Sequence, residues 1–169
     1  MVDRDAVPIV AFVGRSGSGK TTLLTGLVAA LARRGVRVGV IKHSPGHHVM
    51  SDVPGTDSYR YWQTGAAHVG LVTGDRVVHT HRYQGEPDLA VVVADVNDVD
   101  LILLEGYKRS SVDKVELIRA ACDPIPLDDL NERIAYVTDV TLPAAECPVF
   151  GLGELDRIAD FLVRRYLQS

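Results

Sequence analysis

The chain has little cysteine. Its 169 residues include only Cys122 and Cys147, and neither belongs to a C-x-x-C pair. A disulfide framework, a cysteine zinc site and a thioredoxin-type pair are therefore unsupported. There is no excess of positive charge: 18 Lys+Arg against 22 Asp+Glu give a formal net charge of -4. That balance counts against a dedicated nucleic-acid binder. No uninterrupted apolar stretch approaches the ~20 residues a membrane-spanning helix needs, so no membrane association is expected. The first apolar run is short, enters a glycine loop and has no small-residue cleavage site after it. No signal peptide is expected, which makes the cytoplasm the default location. Repeats, low-complexity tracts and Ser/Gly linkers are also lacking. What is present is a 46% apolar chain. At this length about two-thirds of the unfolded surface can be buried, enough for one stable domain over residues 1–169.

Pro8 to Val13 is a short apolar run of the kind that forms a strand buried on both faces. After a glycine-rich segment, Leu23, Leu24, Leu27, Val28 and Leu31 recur at the helical period. Arg33 and Arg34 suit the last turn of that helix, and Gly35 its stop. A second strand is expected over Val36 to Ile41, which completes a βαβ unit and implies a parallel sheet. Residues 43–56 are rich in Pro, Gly and His and read as an irregular loop. A short helix over Asp57 to Thr64 is capped by Thr56 or Asp57. Val69 to Thr73 and Arg76 to Arg82 flank Gly74-Asp75 and predict a hairpin. Further strands are expected at Leu101 to Leu104, Val115 to Ile118, Ile134 to Thr138 and Val149 to Leu152, with a closing helix from Leu155 to Tyr166. The alternation predicts an α/β, three-layer fold with a mostly parallel sheet and a β-hairpin extension.

Gly14-Arg15-Ser16-Gly17-Ser18-Gly19-Lys20-Thr21 matches G-x-x-x-x-G-K-[ST] in full, between a buried strand and an amphipathic helix. Glycines let successive backbone N–H groups turn inward around a phosphate, and the helix mouth adds further N–H groups and partial positive charge. Lys20 reaches the β- and γ-phosphates, the Thr21 hydroxyl suits Mg²⁺, and Thr22 continues the phosphate-facing turn. The P-loop NTPase fold follows from this context. A second metal partner is expected at the carboxyl end of a buried strand, and Glu105 closes the apolar run Leu101 to Leu104. Gly106 lets the backbone approach a γ-phosphate, whereas Asp100 begins the strand and is read as a boundary residue. Asp52 is either a catalytic and Mg²⁺-ligating acid or an ordinary turn residue. Lys42 either adds charge near phosphate or is a solvated strand-end lysine.

Five of the six histidines raise a metal reading. His43, His47 and His48 lie in the irregular loop, and His79 and His81 alternate on a strand. Their spacing fits no standard site, so they read as loop and surface residues. No Ser-His-Asp or Cys-His arrangement points to covalent catalysis.

Taken together, the P-loop, Lys42-His43, Asp52, Gly55-Thr56-Asp57-Ser58 with Arg60, Gly65-Ala66 and Glu105-Gly106-Tyr107-Lys108 carry a resemblance. In that order they are similar to the molybdopterin-guanine dinucleotide biosynthesis protein B family. The resemblance implies a GTP-binding accessory protein of molybdenum-cofactor maturation that hydrolyses GTP slowly if at all. It implies a homodimer whose subunits exchange strands, which fits the 68–82 hairpin. A molybdopterin guanylyltransferase and molybdoenzyme maturation proteins are the implied partners. Thr64 departs from the alanine expected before Gly65-Ala66, and no N-K-x-D guanine motif occurs. Asp139, after the Ile134 to Val137 strand, is the nearest substitute, either accepting from guanine or simply ending a strand. Two rival readings use the same loop. One is a small-molecule kinase with Asp52 as base and Arg60 or Arg109 on a lid. The other is a nickel-type metallochaperone GTPase using His43, His47 and His48.

Overall fold

Apolar runs punctuated by glycine loops fold as parallel strands in the computed structural model, which describes residues 7–44 and 53–168. Their contacts divide the chain into two compact units, one of residues 1–44 with 96–169 and the other of residues 45–95.

The larger unit holds a six-stranded sheet. Its strands are β1 (Ile9–Gly14), β2 (Val38–Lys42), β5 (Leu101–Glu105), β6 (Asp113–Ile118), β7 (Arg133–Thr138) and β8 (Val149–Gly151). They lie in the order β2-β5-β1-β6-β7-β8, and each pairing is parallel. Helices α1 (Lys20–Ala32) and α4 (Leu155–Tyr166) pack on each other and on one face of this sheet. Leu23, Leu24, Leu27, Ala30 and Leu31 of α1 are buried there with Ile158, Ala159 and Leu162 of α4. They meet Val10, Phe12, Leu101, Leu103, Val115, Leu117 and Val137, the inward residues of four strands. Alternate residues of each strand face opposite sides of a sheet, so one apolar set serves the helices while the other set faces away.

The expected α/β fold is therefore present, with shifts at element ends. β2 begins two residues later than expected and includes Lys42 as its last residue. α1 stops at Ala32, so Arg33 and Arg34 lie just beyond the helix rather than in its last turn. Arg34 still caps it, because Nη1 donates to the Ala30 carbonyl at 2.8 Å. The same side chain pairs with Asp156 and Asp160 of α4, so one guanidinium joins both helices. Asp100 is confirmed as a boundary residue: it accepts from the Arg37 N–H at 2.7 Å and pairs with its guanidinium, aligning the starts of β2 and β5.

On the sheet face away from α1, two charged residues are buried. Lys114 is fully buried, and its Nζ donates to the carbonyls of Ser110, Val112 and Asn131 at 2.6, 3.0 and 3.2 Å. Glu116 accepts from the Leu127 N–H at 2.7 Å and pairs with Arg133. These two side chains fasten the loops after β5 and β6 onto the sheet.

The smaller unit contains α2 (Asp57–Gln63), a two-stranded hairpin of β3 (His68–Val72) and β4 (Val77–His81), and α3 (Leu89–Ala94). Thr56 caps α2 as expected, its Oγ1 accepting from the Tyr59 N–H. α3 falls in a stretch to which the sequence reading assigns no element, and its three successive valines are weak helix formers because their side-chain rotamers are restricted. Among the described residues no helix is long and apolar enough to cross a membrane.

Removing the buried ammonium of Lys114 leaves the carbonyls of Ser110, Val112 and Asn131 without this donor. Lys114→Ala is expected to lower unfolding free energy by about 2–4 kcal/mol, read from urea denaturation followed by circular dichroism.

Candidate functional site

The sheet register sets the site. Phe12 lies opposite Glu105, Glu105 opposite Lys42, and Gly14 opposite Leu117. Four parallel strands thus end near one level, at the edge where open α/β sheets place their ligands. β1 hands over to the loop at Gly14, where φ is +155° and a Cβ would lie 2.4 Å from the Leu117 carbonyl oxygen. No side chain fits there. Gly17 and Gly19 take left-handed conformations, with φ of 75° and 87°, and Gly19 is the residue that caps α1. The turn is closed by the Ser18 N–H donating to the Arg15 carbonyl. The N–H groups of Lys20, Thr21 and Thr22 begin the helix, where no intrahelical acceptor exists for them.

Lys20 folds back over the loop. Its Nζ donates to the carbonyls of Arg15 at 2.8 Å and Gly14 at 3.3 Å, and to Ser18 Oγ at 3.4 Å. Burial, followed by the nearby Lys108 and Lys42 cations, lowers the pKa of this ammonium. Thr21 Oγ1 donates to Glu105, with Oε1 at 2.8 Å and Oε2 at 3.0 Å. Lys42 Nζ sits 3.1 Å from Glu105 Oε1 and 3.4 Å from Thr21 Oγ1. A hydroxyl and a carboxylate are hard oxygen donors, and adjacent ligands of an octahedral Mg²⁺ lie about 2.9 Å apart for bonds of 2.0–2.1 Å. The Thr21–Glu105 spacing therefore fits two neighbouring positions around that ion. Glu105 is 8% exposed, so its charge is held largely away from bulk water.

Gly106 follows with φ +97°, and a Cβ there would lie 3.3 Å from His43 Cβ. Tyr107 is also left-handed, at φ 56°. Its carbonyl accepts from both the N–H and the hydroxyl of Ser110, and its ring lies 4.7 Å from that of His43. The chain is thus bent sharply at the carboxyl end of β5.

The sequence reading passed over the segment after β6. Arg119 Nη1 would lie 3.3 Å from a Cβ at Gly19, and Cys122 Sγ 3.8 Å from one at Gly17. Arg15 pairs with Asp123 at 2.8 Å. The rule that singled out Glu105, position just past a buried strand at the carboxyl edge, applies equally to Arg119 after Ile118. Arg109, named for a lid, lines a cleft with Arg15, Lys108 and Leu127. Asp139 sits at the carboxyl end of β7 and is engaged within the chain. Its Oδ1 accepts from the Ala120 N–H at 2.7 Å and its Oδ2 from Arg119 Nε at 2.9 Å. That backbone donor, then the guanidinium, hold the Asp139 carboxyl below the ordinary aspartate range.

Asp52, His47 and His48 lie outside the described residues. Arg60 is on α2, paired with Asp57. His79 and His81 sit on β4 beside His68. Desolvation and then the other two imidazoles lower the His68 pKa.

A glycine loop between a central parallel strand and a helix mouth, with an acid closing the neighbouring strand, defines a protein of the P-loop NTPase fold class. Within that class the affiliation is specific. Residues 9–139 match the family model of molybdopterin guanine dinucleotide synthesis protein B, and the chain belongs to that family. It is 35% identical over 170 residues to the molybdopterin-guanine dinucleotide biosynthesis adapter protein of Escherichia coli, covering 96% of this chain and 95% of that one. The adapter protein of the same name from Haemophilus influenzae is 32% identical, over 92% of this chain and 88% of its own. A crystal structure of a MobB protein homolog from Bacillus stearothermophilus superposes with a TM-score of 0.71. It is 27% identical, over 95% of this chain and 99% of that one.

The depressed Asp139 pKa has a definite sign. A carboxyl held low in the folded state adds stability above the ordinary pKa of 3.8, and that contribution is lost as pH falls through the folded value. Asp139→Asn is expected to flatten the loss of stability below about pH 4, measured as urea midpoints at pH 5 and pH 3. An equally steep acid limb in the variant would contradict this.

Proposed function

We propose that this chain is a GTP-binding accessory protein of molybdenum-cofactor biosynthesis, serving the formation or delivery of molybdopterin guanine dinucleotide in the cytoplasm. The observation that carries the reading is the Thr21 hydroxyl seated on Glu105 at the mouth of α1, within a loop whose glycines exclude side chains. In this reading the loop amides from Gly14 to Thr22 and the Lys20 ammonium hold the nucleotide phosphates. Thr21 and Glu105, joined by Asp52, hold Mg²⁺, which offsets phosphate charge when bound. Lys42 adds positive charge beside them, and Gly106 lets the backbone approach the terminal phosphate. Asp139 accepts from the guanine edge through oxygen lone pairs left over from Ala120 and Arg119.

The relatives' shared name as adapter proteins supports a role in which the nucleotide-bound surface does the work. No glutamine or histidine is assigned to orient an attacking water, so hydrolysis is slow at most. A homodimer built through the hairpin, and docking to a molybdopterin guanylyltransferase or to molybdoenzyme maturation proteins, complete the proposal. The hairpin forms a two-stranded sheet, and the outer edge of such a ribbon is the kind that accepts another strand.

Titration calorimetry with GTP and ATP in Mg²⁺ tests the reading. GTP is expected to bind more tightly than ATP, and Lys20→Ala to weaken GTP by roughly ten- to a hundredfold, the worth of one charge-assisted hydrogen-bond set. Steady-state hydrolysis by the isolated chain is expected below about 1 s⁻¹. Failure of both nucleotides to associate with the folded protein would overturn the proposal, and equal affinities would remove its guanine preference.

A further inference from the structure

The hairpin carries a feature that nucleotide binding does not use. His68 and His81 are directly opposed across the β3–β4 ladder, and His79 lies opposite Gly70. Opposed residues of an antiparallel pair share a face, so all three imidazoles project from one side. The strand period reinforces this, since His79 and His81 are two apart. The rings of His68 and His81 stack at 4.1 Å, and His68 Nε2 lies 2.8 Å from His79 Nδ1. Two imidazole nitrogens at that separation are held by a single shared proton. One ligand nitrogen from each of the three rings falls within 4.8 Å of the others, and all three residues are exposed. Among the described residues this is the one such grouping of three metal-ligating side chains.

The backbone beneath the cluster is well fixed for so exposed a feature. At Gly70 a Cβ would lie 3.4 Å from His79 Nδ1, so glycine keeps that nitrogen uncovered. Next to His81, Arg82 donates to the Trp62 carbonyl at 2.8 Å and stacks 4.0 Å over the Trp62 ring, and its N–H donates to the Ala67 carbonyl. These contacts tie both strands of the hairpin to α2 at the end where the histidines lie.

We propose that His68, His79 and His81 form a site for a divalent late first-row transition-metal ion, for which Zn²⁺ is the probe. Imidazole nitrogen suits zinc, nickel and copper rather than Mg²⁺ or Ca²⁺. Three nitrogens bonded to a tetrahedral Zn²⁺ at 2.0–2.1 Å lie about 3.3 Å apart. The present separations bracket that value, and exposed rings reach it by small rotations about their side-chain bonds. The ion takes the place of the His68–His79 hydrogen bond, whose proton passes to the donor ring's other nitrogen or to water, and draws in His81. A three-histidine set leaves the fourth position open for water or for an additional ligand. The site lies wholly within the hairpin and excludes the 43–48 histidines, which sets it apart from the metallochaperone reading of the sequence.

Calorimetric titration of the untagged full chain with Zn²⁺ tests the proposal, with Co²⁺ visible absorption as a second readout of nitrogen ligation. One ion per chain is expected. His68→Ala, His79→Ala and His81→Ala are each expected to weaken binding at least tenfold, since loss of even an indirect partner of a metal ligand costs about 10–100-fold. A His47→Ala/His48→Ala double variant is expected to retain the wild-type affinity. Far-ultraviolet circular dichroism establishes that each variant is folded. Absence of saturable Zn²⁺ binding, or an unchanged affinity in folded His79→Ala, would overturn the proposal. So would loss of binding in the His47/His48 variant alone.

Discussion

The parallel register around β1 is the constraint on which the candidate nucleotide site depends. Because Phe12, Glu105 and Lys42 stand side by side in the ladder, the loop leaving β1, the acid ending β5 and the lysine ending β2 emerge together. Shifting one strand by a single residue would turn Glu105 to the opposite face of the sheet and leave Thr21 without its carboxylate. The register is in turn specified by burial. β5 is buried along its whole length, and a slip would exchange its two apolar sets against α1 and the opposite face. The hydrophobic core and the site geometry are thus one constraint viewed at two ends of the same strands.

Charge at that edge is balanced pair by pair. Glu105 is matched by Lys42, Asp123 by Arg15, and Asp139 by Arg119. Lys20 is held by loop carbonyls instead of a carboxylate, and burial, then Lys108, lower its affinity for a proton. In the proposed reading a polyphosphate supplies the negative charge that Lys20, held only by neutral oxygens, lacks within the chain. Farther along the same strands, Lys114 and Glu116 are buried with their partners. They hold loop backbone in place where an apolar residue would offer no bond.

The smaller unit uses different physics. Its hairpin has only two strands, and such a ribbon is marginal in water without further packing. The Arg82–Trp62 stack ties it to α2, while the histidine cluster adds side-chain contacts across the ladder. A bound ion on that face would add a cross-link where hydrophobic burial is scarce, since Leu71, Val72, Val77 and Val78 are all exposed.

Much of this was legible in the linear sequence wherever the signal was local. The glycine spacing from Gly14 to Gly19 dictates a loop that only glycine's backbone freedom permits. The leucine period announces α1, Gly74-Asp75 the hairpin, and Thr56 the start of α2. Strand ends blurred by one or two residues because apolar runs do not mark where pairing stops. Lys114 and Glu116 escaped notice because a buried charge is improbable until the loop carbonyls and the Arg133 partner are seen around it. The short α3, with three successive valines, carries no helical period that would mark it in the sequence. By itself the sequence determined the glycine loop, the α/β alternation and the placement of Glu105 at a strand end, since each follows from neighbouring residues. Tertiary structure alone decided which side chains meet Glu105, how Arg119 reaches the loop and Asp139, and that His68 completes a trio with His79 and His81. Those depend on strand order and cross-strand register, which bring together residues that the chain keeps far apart.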